Sequence, residues 1–144
     1  MQTVDLDTTD CFSPGPGLSV AFPLHSATGA ADSAIVWINL EPGAELPEHQ
    51  DSAEELLLVI EGEVHATIDG ETGVLGERQL ALVPAMAPHG MRNAGDRPAR
   101  VLGFFSASTV VSTFPEPMGP EGVQVFVTGA PVPIALPLEA PVLA

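Results

Sequence analysis

The sequence predicts an all-β protein, an antiparallel sandwich or barrel of short strands. Its 144 residues include 14 Gly and 15 Pro, and that many breakers disfavour long helices. Short apolar and β-branched segments recur every eight to twelve residues, with turn residues between them. Hydrophobic residues make up 45% and charged residues 16%, a balance typical of a globular domain with a real core.

Each strand is predicted from its own pattern. The segment 34–40 is apolar and β-branched, and 55–61 is centred on a run of Leu, Val and Ile. Asp69 and Gly70 predict a hairpin turn after 64–68. Helical turns are expected only near Ala53 and after Pro115. The predicted strands cover residues 18–24, 34–40, 55–61, 64–68, 72–75, 79–83, 89–93 and 100–106.

One domain spans 1–144, with an N-terminal arm at 1–30, a core at 31–110 and a C-terminal extension at 111–144. The arm contains a Pro- and Gly-rich stretch at 13–17, which excludes a helix or a central strand there. The Pro-rich tail, residues 132–144, has two interpretations. It is either a disordered or surface-laid tail, or an extended arm that packs across a partner subunit and shields its apolar side chains from water.

The charge balance excludes several partners. The chain has 19 acidic residues against four basic ones, for a formal net charge of −15. Nucleic acid and anionic membranes both need a basic surface. All four bases are arginines, so the chain offers no Schiff-base lysine. Cys11 is the only cysteine, and the N-terminus lacks the features of a signal peptide; we expect a cytoplasmic protein.

Four residues form the strongest candidate site. His49, Asp51 and Glu55 lie at even offsets, which places their side chains on one face if the chain is extended throughout. His89 begins a later predicted strand. Two imidazoles and two carboxylates on one inner face are a suitable ligand set for a divalent metal ion.

The spacing around the first three residues resembles the first motif of the cupin superfamily. That motif has Gly, five residues, His, one, His, three or four, Glu, six, Gly. The corresponding residues are Gly43, His49, Asp51, Glu55 and Gly62. Asp51 stands where the family has its second histidine, which shifts the ligand preference towards harder ions such as Fe(II) or Mn(II).

A second cupin motif follows in order. It ends Pro, one, Gly, two, His, three, Asn, and the chain has Pro84, Met86 in place of Gly, His89 and Asn93. Arg78 stands where the motif's leading Gly is expected. The resemblance covers about residues 34–106. It implies a double-stranded β-barrel, or jelly roll, with a metal near one mouth, and homodimers as in many members.

The resemblance implies one divalent ion (Fe, Mn, Ni or Zn) held by His49, Asp51, Glu55 and His89. Glu55 is the candidate catalytic acid or base. Met91, Trp37, Phe104 and Phe105 are candidate walls of a substrate pocket.

Two classes of function remain open. One is a metal-dependent enzyme acting on a small aromatic or enolisable substrate, by quercetinase-like dioxygenation or by isomerase or cyclase chemistry. The other is a non-catalytic module that binds a small molecule.

Overall fold

The computed structural model describes residues 1–133, which are almost entirely β-structure. A short 3-10 turn at Ser26–Thr28 is the one helical element in this part of the chain. The strands are β1 (Phe12–Gly15), β2 (Leu18–Leu24), β3 (Ala34–Leu40), β4 (Glu45–Asp51), β5 (Glu55–Glu61), β6 (Val64–Ile68), β7 (Glu71–Leu75), β8 (Leu80–Val83), β9 (His89–Arg92), β10 (Ala99–Phe105), β11 (Val111–Met118), β12 (Val123–Val127) and β13 (Ala130–Pro131).

The strands form two antiparallel sheets. The six-stranded sheet has the order β1-β2-β3-β10-β5-β8, and the seven-stranded sheet has the order β13-β12-β11-β4-β9-β6-β7. Because β4 and β5 are consecutive but lie in different sheets, the chain crosses between the sheets immediately after Asp51. The two sheets confirm the predicted all-β jelly roll, although they do not close into a continuous barrel.

The core comes from the alternation of side chains along the central strands. Val36 and Ile38 of β3, Leu57 and Val59 of β5, and Val101 of β10 are at most 4% exposed. Successive side chains on a strand point to opposite faces, so these residues share the inner face of the six-stranded sheet. Their removal from water stabilises the packing of the two sheets against each other.

The predicted hairpin between β6 and β7 is present. Asp69 and Gly70 have φ angles of 51° and 84°, and Ile68 pairs with Glu71 across the turn. A two-residue turn with positive φ at both positions matches the right-handed twist of the flanking strands. Asp and Gly adopt this conformation at low cost, which explains the accuracy of the prediction here.

Two predicted helical turns are wrong. The chain near Ala53 bends between β4 and β5 without forming a helix, and β11 continues through Pro115 to Met118. The pairing of β11 with β12 is irregular between Thr113 and Met118. That irregularity accommodates prolines inside a strand because no ladder hydrogen bond is needed there.

The predicted arm and extension both contribute strands. β2 pairs with β3 in the six-stranded sheet, and β11 pairs with β4 in the seven-stranded sheet. Residues 3–7 and Trp37 line a common cleft on the outer face of the six-stranded sheet, and Trp37 is only 4% exposed. Most of the tail prediction, residues 134–144, lies outside the described residues. Within residues 1–133, no helix has the length and apolar character needed to cross a membrane.

Candidate metal centre

The four candidate ligands meet between the two sheets. His49 and Asp51 are at the end of β4, and His89 begins β9 directly opposite His49. Glu55 begins β5 in the other sheet. All four side chains are buried, with 2–5% exposure. The expected extended chain from His49 to Glu55 is interrupted by a bend at 52–54, so Glu55 reaches the cluster from the facing sheet.

Distances within the cluster suit a shared ion. His49, Asp51 and His89 each offer a ligand atom, and these atoms lie within 4.8 Å of one another. The Oδ2 atom of Asp51 is 3.4 Å from Nε2 of His49 and 3.1 Å from Nε2 of His89. Glu55 approaches from the other side, with Oε1 3.3 Å from Nε2 of His89.

Backbone carbonyls orient both imidazoles. The Nδ1 atom of His49 is 2.8 Å from the carbonyl oxygen of Pro47, and Nδ1 of His89 is 2.9 Å from that of Ala87. A carbonyl only accepts, so each Nδ1 carries the proton and donates it. In the neutral imidazole, each Nε2 is then directed into the cluster with its lone pair available, as metal-binding histidines require.

Two buried atoms lack a hydrogen-bond partner among the described residues, Oδ2 of Asp51 and Nε2 of His89. Leaving such groups unsatisfied in the interior is costly. An ion between them would satisfy both atoms and neutralise the carboxylate. The donor set of imidazole nitrogens and carboxylate oxygens therefore fits a divalent metal ion.

The electrostatics of the metal-free cluster favour a proton on His89. Burial alone lowers the pKa of His89, but contacts with the Asp51 and Glu55 carboxylates outweigh it and raise the pKa to about 10. Burial likewise opposes ionisation of Asp51, yet the adjacent His49 and His89 imidazoles and the hydrogen bond from Ser112 lower its pKa below the ordinary value. A metal ion that binds here must therefore displace the proton from Nε2 of His89.

Glu55 differs from Asp51 in its electrostatic environment. Burial is the largest influence on Glu55 and raises its pKa, and the neighbouring Asp51 carboxylate acts in the same direction. Two carboxylates side by side cannot both ionise freely. The cluster thus contains one carboxylate held charged and one carboxyl inclined to hold a proton, a division typical of acid–base sites.

Gly103 provides the space for Glu55. It is buried on β10, where it pairs with Val36 and Leu57 on its two neighbouring strands. A Cβ atom added there would overlap the Glu55 carboxylate and lie 2.6 Å from Cγ1 of Val36. Any side chain at position 103 would therefore displace Glu55 or Val36.

The cluster lies at one side of an open-mouthed cavity of about 50 Å³. Five of the six phenylalanines line it, and no lysine or arginine does. Phe114 stacks on the His49 ring at a centroid distance of 4.7 Å, and Phe22 stacks on Phe105 at 6.1 Å. The phenylalanines of the lining are Phe12, Phe22, Phe105, Phe114 and Phe126.

The structure separates the four predicted pocket residues. Phe105 lines the cavity. Phe104, its neighbour on β10, points outward and is 37% exposed. Trp37 lies on the outer face, where it lines a cleft with residues 3–7, and Met91 is buried in the core without lining the cavity. Strand alternation explains the two outward residues, because Val36 and Ile38 occupy the inner face on either side of Trp37.

Sequence reasoning missed the cavity walls supplied by β11 and β12. Phe114, Met118 and Phe126 belong to these strands, as does Ser112, whose hydroxyl donates to Oδ1 of Asp51 over 2.6 Å. Residues 111–114 alternate between exposed and buried positions, which is the pattern of a half-buried strand. Pro115 and Pro117 obscured that signal.

Comparison with known proteins identifies the class of fold. Residues 36–105 match the family model of the cupin domain. The polyketide cyclase RemF from Streptomyces resistomycificus is similar in structure, with a TM-score of 0.64, 18% identity and coverage of 73% of this chain and 78% of that one. An RmlC-like cupin from Shewanella frigidimarina has a TM-score of 0.59 at 25% identity, over 70% of this chain and 86% of that one. This chain therefore contains a cupin domain, which confirms the family indicated by the two motifs.

A curated relative is similar in sequence. Polyketide synthase CurC from Streptomyces cyaneus is 36% identical over 79 residues, which are 54% of this chain and 51% of that protein. The chain thus spans about half the length of the curated relative that it matches.

Proposed function

We propose that this protein is a metal-dependent enzyme that moves a proton on a small aromatic or enolisable substrate, in an isomerase- or cyclase-type reaction. The observation that carries the proposal is the cluster of His49, Asp51 and His89 beside a phenylalanine-lined cavity. Within this cluster, Oδ2 of Asp51 and Nε2 of His89 are buried without hydrogen-bond partners. The similarity to a polyketide synthase supports a polyketide-like substrate.

The cavity wall favours a flat, uncharged substrate. Aromatic side chains pack against rings by stacked and edge-on contacts, and Phe114 and Phe126 already form such an edge-on pair at 5.5 Å. A carboxylate or phosphate on the substrate would find no lysine or arginine in the lining, and the net charge of −15 would repel it. Polar oxygens of the substrate would therefore be directed to the ligand cluster.

Each residue has a distinct role in this proposal. His49, His89 and Asp51 would hold the ion through Nε2, Nε2 and Oδ2, with Glu55 adjacent as a further oxygen ligand or as a free acid. A divalent ion bound there supplies Lewis-acid stabilisation of negative charge on a substrate oxygen. Glu55 gives or takes the proton at its carboxyl, whose pKa is raised by burial above the ordinary value. The apolar walls exclude water and strengthen these electrostatic effects.

A deuterium-exchange assay tests the proposal. The metal-loaded protein is incubated in D2O with an aromatic 1,3-diketone, and deuterium incorporation into the diketone is followed by NMR. In a parallel experiment, oxygen uptake is measured with a flavonol as substrate. We expect Glu55→Gln to keep the fold and lower exchange about 10²–10⁴-fold, the range for one acid–base group. Glu54→Gln, next in sequence but exposed, is the matched control.

The outcomes separate the alternatives. Exchange that depends on Glu55 supports proton transfer. Oxygen consumption with little exchange would instead indicate the dioxygenase, and saturable binding without turnover would indicate the non-catalytic module. An unaltered rate in Glu55→Gln would show that Glu55 does not carry the proton.

We also propose a homodimer that forms through the outer face of β5, β8 and β10. This face carries Leu56, Leu80, Leu82 and Phe104, which are 37–65% exposed. They are contiguous, because Leu56 pairs with both Leu82 and Phe104. Exposed apolar patches of this kind mark association sites, and these four side chains are uncharged in a chain of net charge −15. A second copy, equally acidic, would meet the least repulsion here.

Sedimentation equilibrium tests the dimer. We expect wild-type protein to have twice the 14.9 kDa chain mass and Leu82→Glu to be a folded monomer. Val74→Glu, at a 52% exposed position in the other sheet, should remain dimeric. A wild-type monomer at all concentrations would disprove the interface.

A further inference from the structure

We infer that Ser112 is a positioning residue that makes Asp51 a one-oxygen metal ligand through Oδ2. This inference rests on the proposed metal site and concerns the position where this chain departs from the cupin motif. An imidazole presents one lone pair to a metal, whereas a carboxylate presents two equivalent oxygens. Replacing His by Asp therefore creates an ambiguity in coordination, which Ser112 resolves.

The two oxygens of Asp51 have different environments. Oδ1 accepts a 2.6 Å hydrogen bond from the Ser112 hydroxyl, and this pair is buried. Oδ2 has no hydrogen-bond partner and faces Nε2 of His49 and His89. A short hydroxyl-to-carboxylate bond is among the stronger kinds in proteins. It occupies Oδ1 and leaves Oδ2 as the oxygen that faces the two histidines.

The backbone fixes Ser112 in this position. Ser112 is directly opposite Asp51 in the β4–β11 pairing. One residue away, the Ser52 N–H donates to the Val111 carbonyl, and the Val111 N–H donates to the Ser52 hydroxyl, both over 2.9 Å. On the other side, the Met86 N–H donates to the Asp51 carbonyl over 2.8 Å. With both strands held, Ser112 stays opposite Asp51, within hydrogen-bond distance of its carboxylate.

Loss of the hydroxyl has a specific consequence. Oδ1 would become a buried acceptor without a partner, so the carboxylate would rotate or use both oxygens on the ion. Removal of a group that orients a metal ligand typically weakens metal affinity 10–100-fold. The number of coordinating oxygens would change as well, which a loss of packing alone would not produce.

Cobalt(II) is the probe for this test, because its visible absorption reports coordination number and its affinity is measured by competition with a chelator. Ser112→Val and Ser112→Thr are matched in shape, and only threonine keeps the donor. Ser112→Ala removes the donor with the least change in volume. Thr113→Ala, the next residue but exposed and opposite Gln50, removes a hydroxyl that faces away from the site.

We expect Ser112→Ala and Ser112→Val to bind cobalt about 10–100-fold more weakly with an altered spectrum, while Ser112→Thr and Thr113→Ala remain similar to wild type. Equal affinity and identical spectra in all variants would overturn the role of Ser112 and leave the metal site intact. Failure of the wild-type chain to bind cobalt would overturn both the inference and the proposed function.

Discussion

Gly103→Ala is a stringent test of how closely the Glu55 carboxyl is packed. The added methyl group would overlap the Glu55 carboxylate and approach Cγ1 of Val36 to 2.6 Å. Extra atoms in a filled core cost about 1–3 kcal/mol. Since 1 kcal/mol corresponds to about 2–4 °C in a domain of this size, the melting temperature should fall by about 2–12 °C.

The assay is urea denaturation with thermal melting as a second probe, together with metal content per chain. Gly73→Ala is the control, because a Cβ atom at this strand position meets nothing within 4 Å. Gly103→Ala should also couple to Glu55→Ala in a double-mutant cycle, because the second substitution removes one of the two overlaps. Equal stability of Gly103→Ala and Gly73→Ala, with additive effects in the cycle, would refute the close packing.

Two further predictions concern the cluster. His89→Ala removes the proposed Nε2 ligand and should abolish metal binding; undiminished metal content by elemental analysis would disprove the assignment. In metal-free protein, the raised pKa values of His89 and Glu55 contribute stability that is present at low pH and lost as pH rises, for His89 between its ordinary 6.5 and about 10. The lowered pKa of Asp51 acts oppositely, so its contribution is lost as pH falls below the ordinary 3.8. Urea midpoints measured in chelator should therefore decline from pH 6.5 to 9.5, and a flat profile would contradict the proton on His89.

Local pattern was sufficient to predict most of the fold. Strands such as β3 and β5 are continuous apolar or β-branched runs, and the Asp69-Gly70 turn has a direct conformational cause. β4 was missed because its segment, Glu45–Asp51, contains a proline and mostly polar residues. Its pairing with β9 and β11 is non-local, and no local pattern reports it.

The candidate site shows the same division. Motif spacing brought His49, Asp51, Glu55 and His89 together correctly, yet the same-face argument for Glu55 was wrong because of the bend at 52–54. Ser112 is 61 residues from Asp51 in sequence, and it becomes its neighbour only through strand pairing. Trp37 and Phe104 are aromatic, as are the phenylalanines that line the cavity, but residue type alone does not reveal which face of a sheet a side chain occupies.

The division of ligands between two sheets has a mechanical consequence. His49, Asp51 and His89 project from the seven-stranded sheet, and Glu55 projects from the six-stranded one. If the ion contacts Glu55, it acts as a cross-link whose strength depends on the distance between the sheets. A change in the separation of the two sheets would then change the coordination of the ion. A substrate bound between the phenylalanines would shift the position of Glu55 relative to the ion. Amide hydrogen exchange in β5 and β9 should accordingly slow together when metal is added, because one ion would link both sheets.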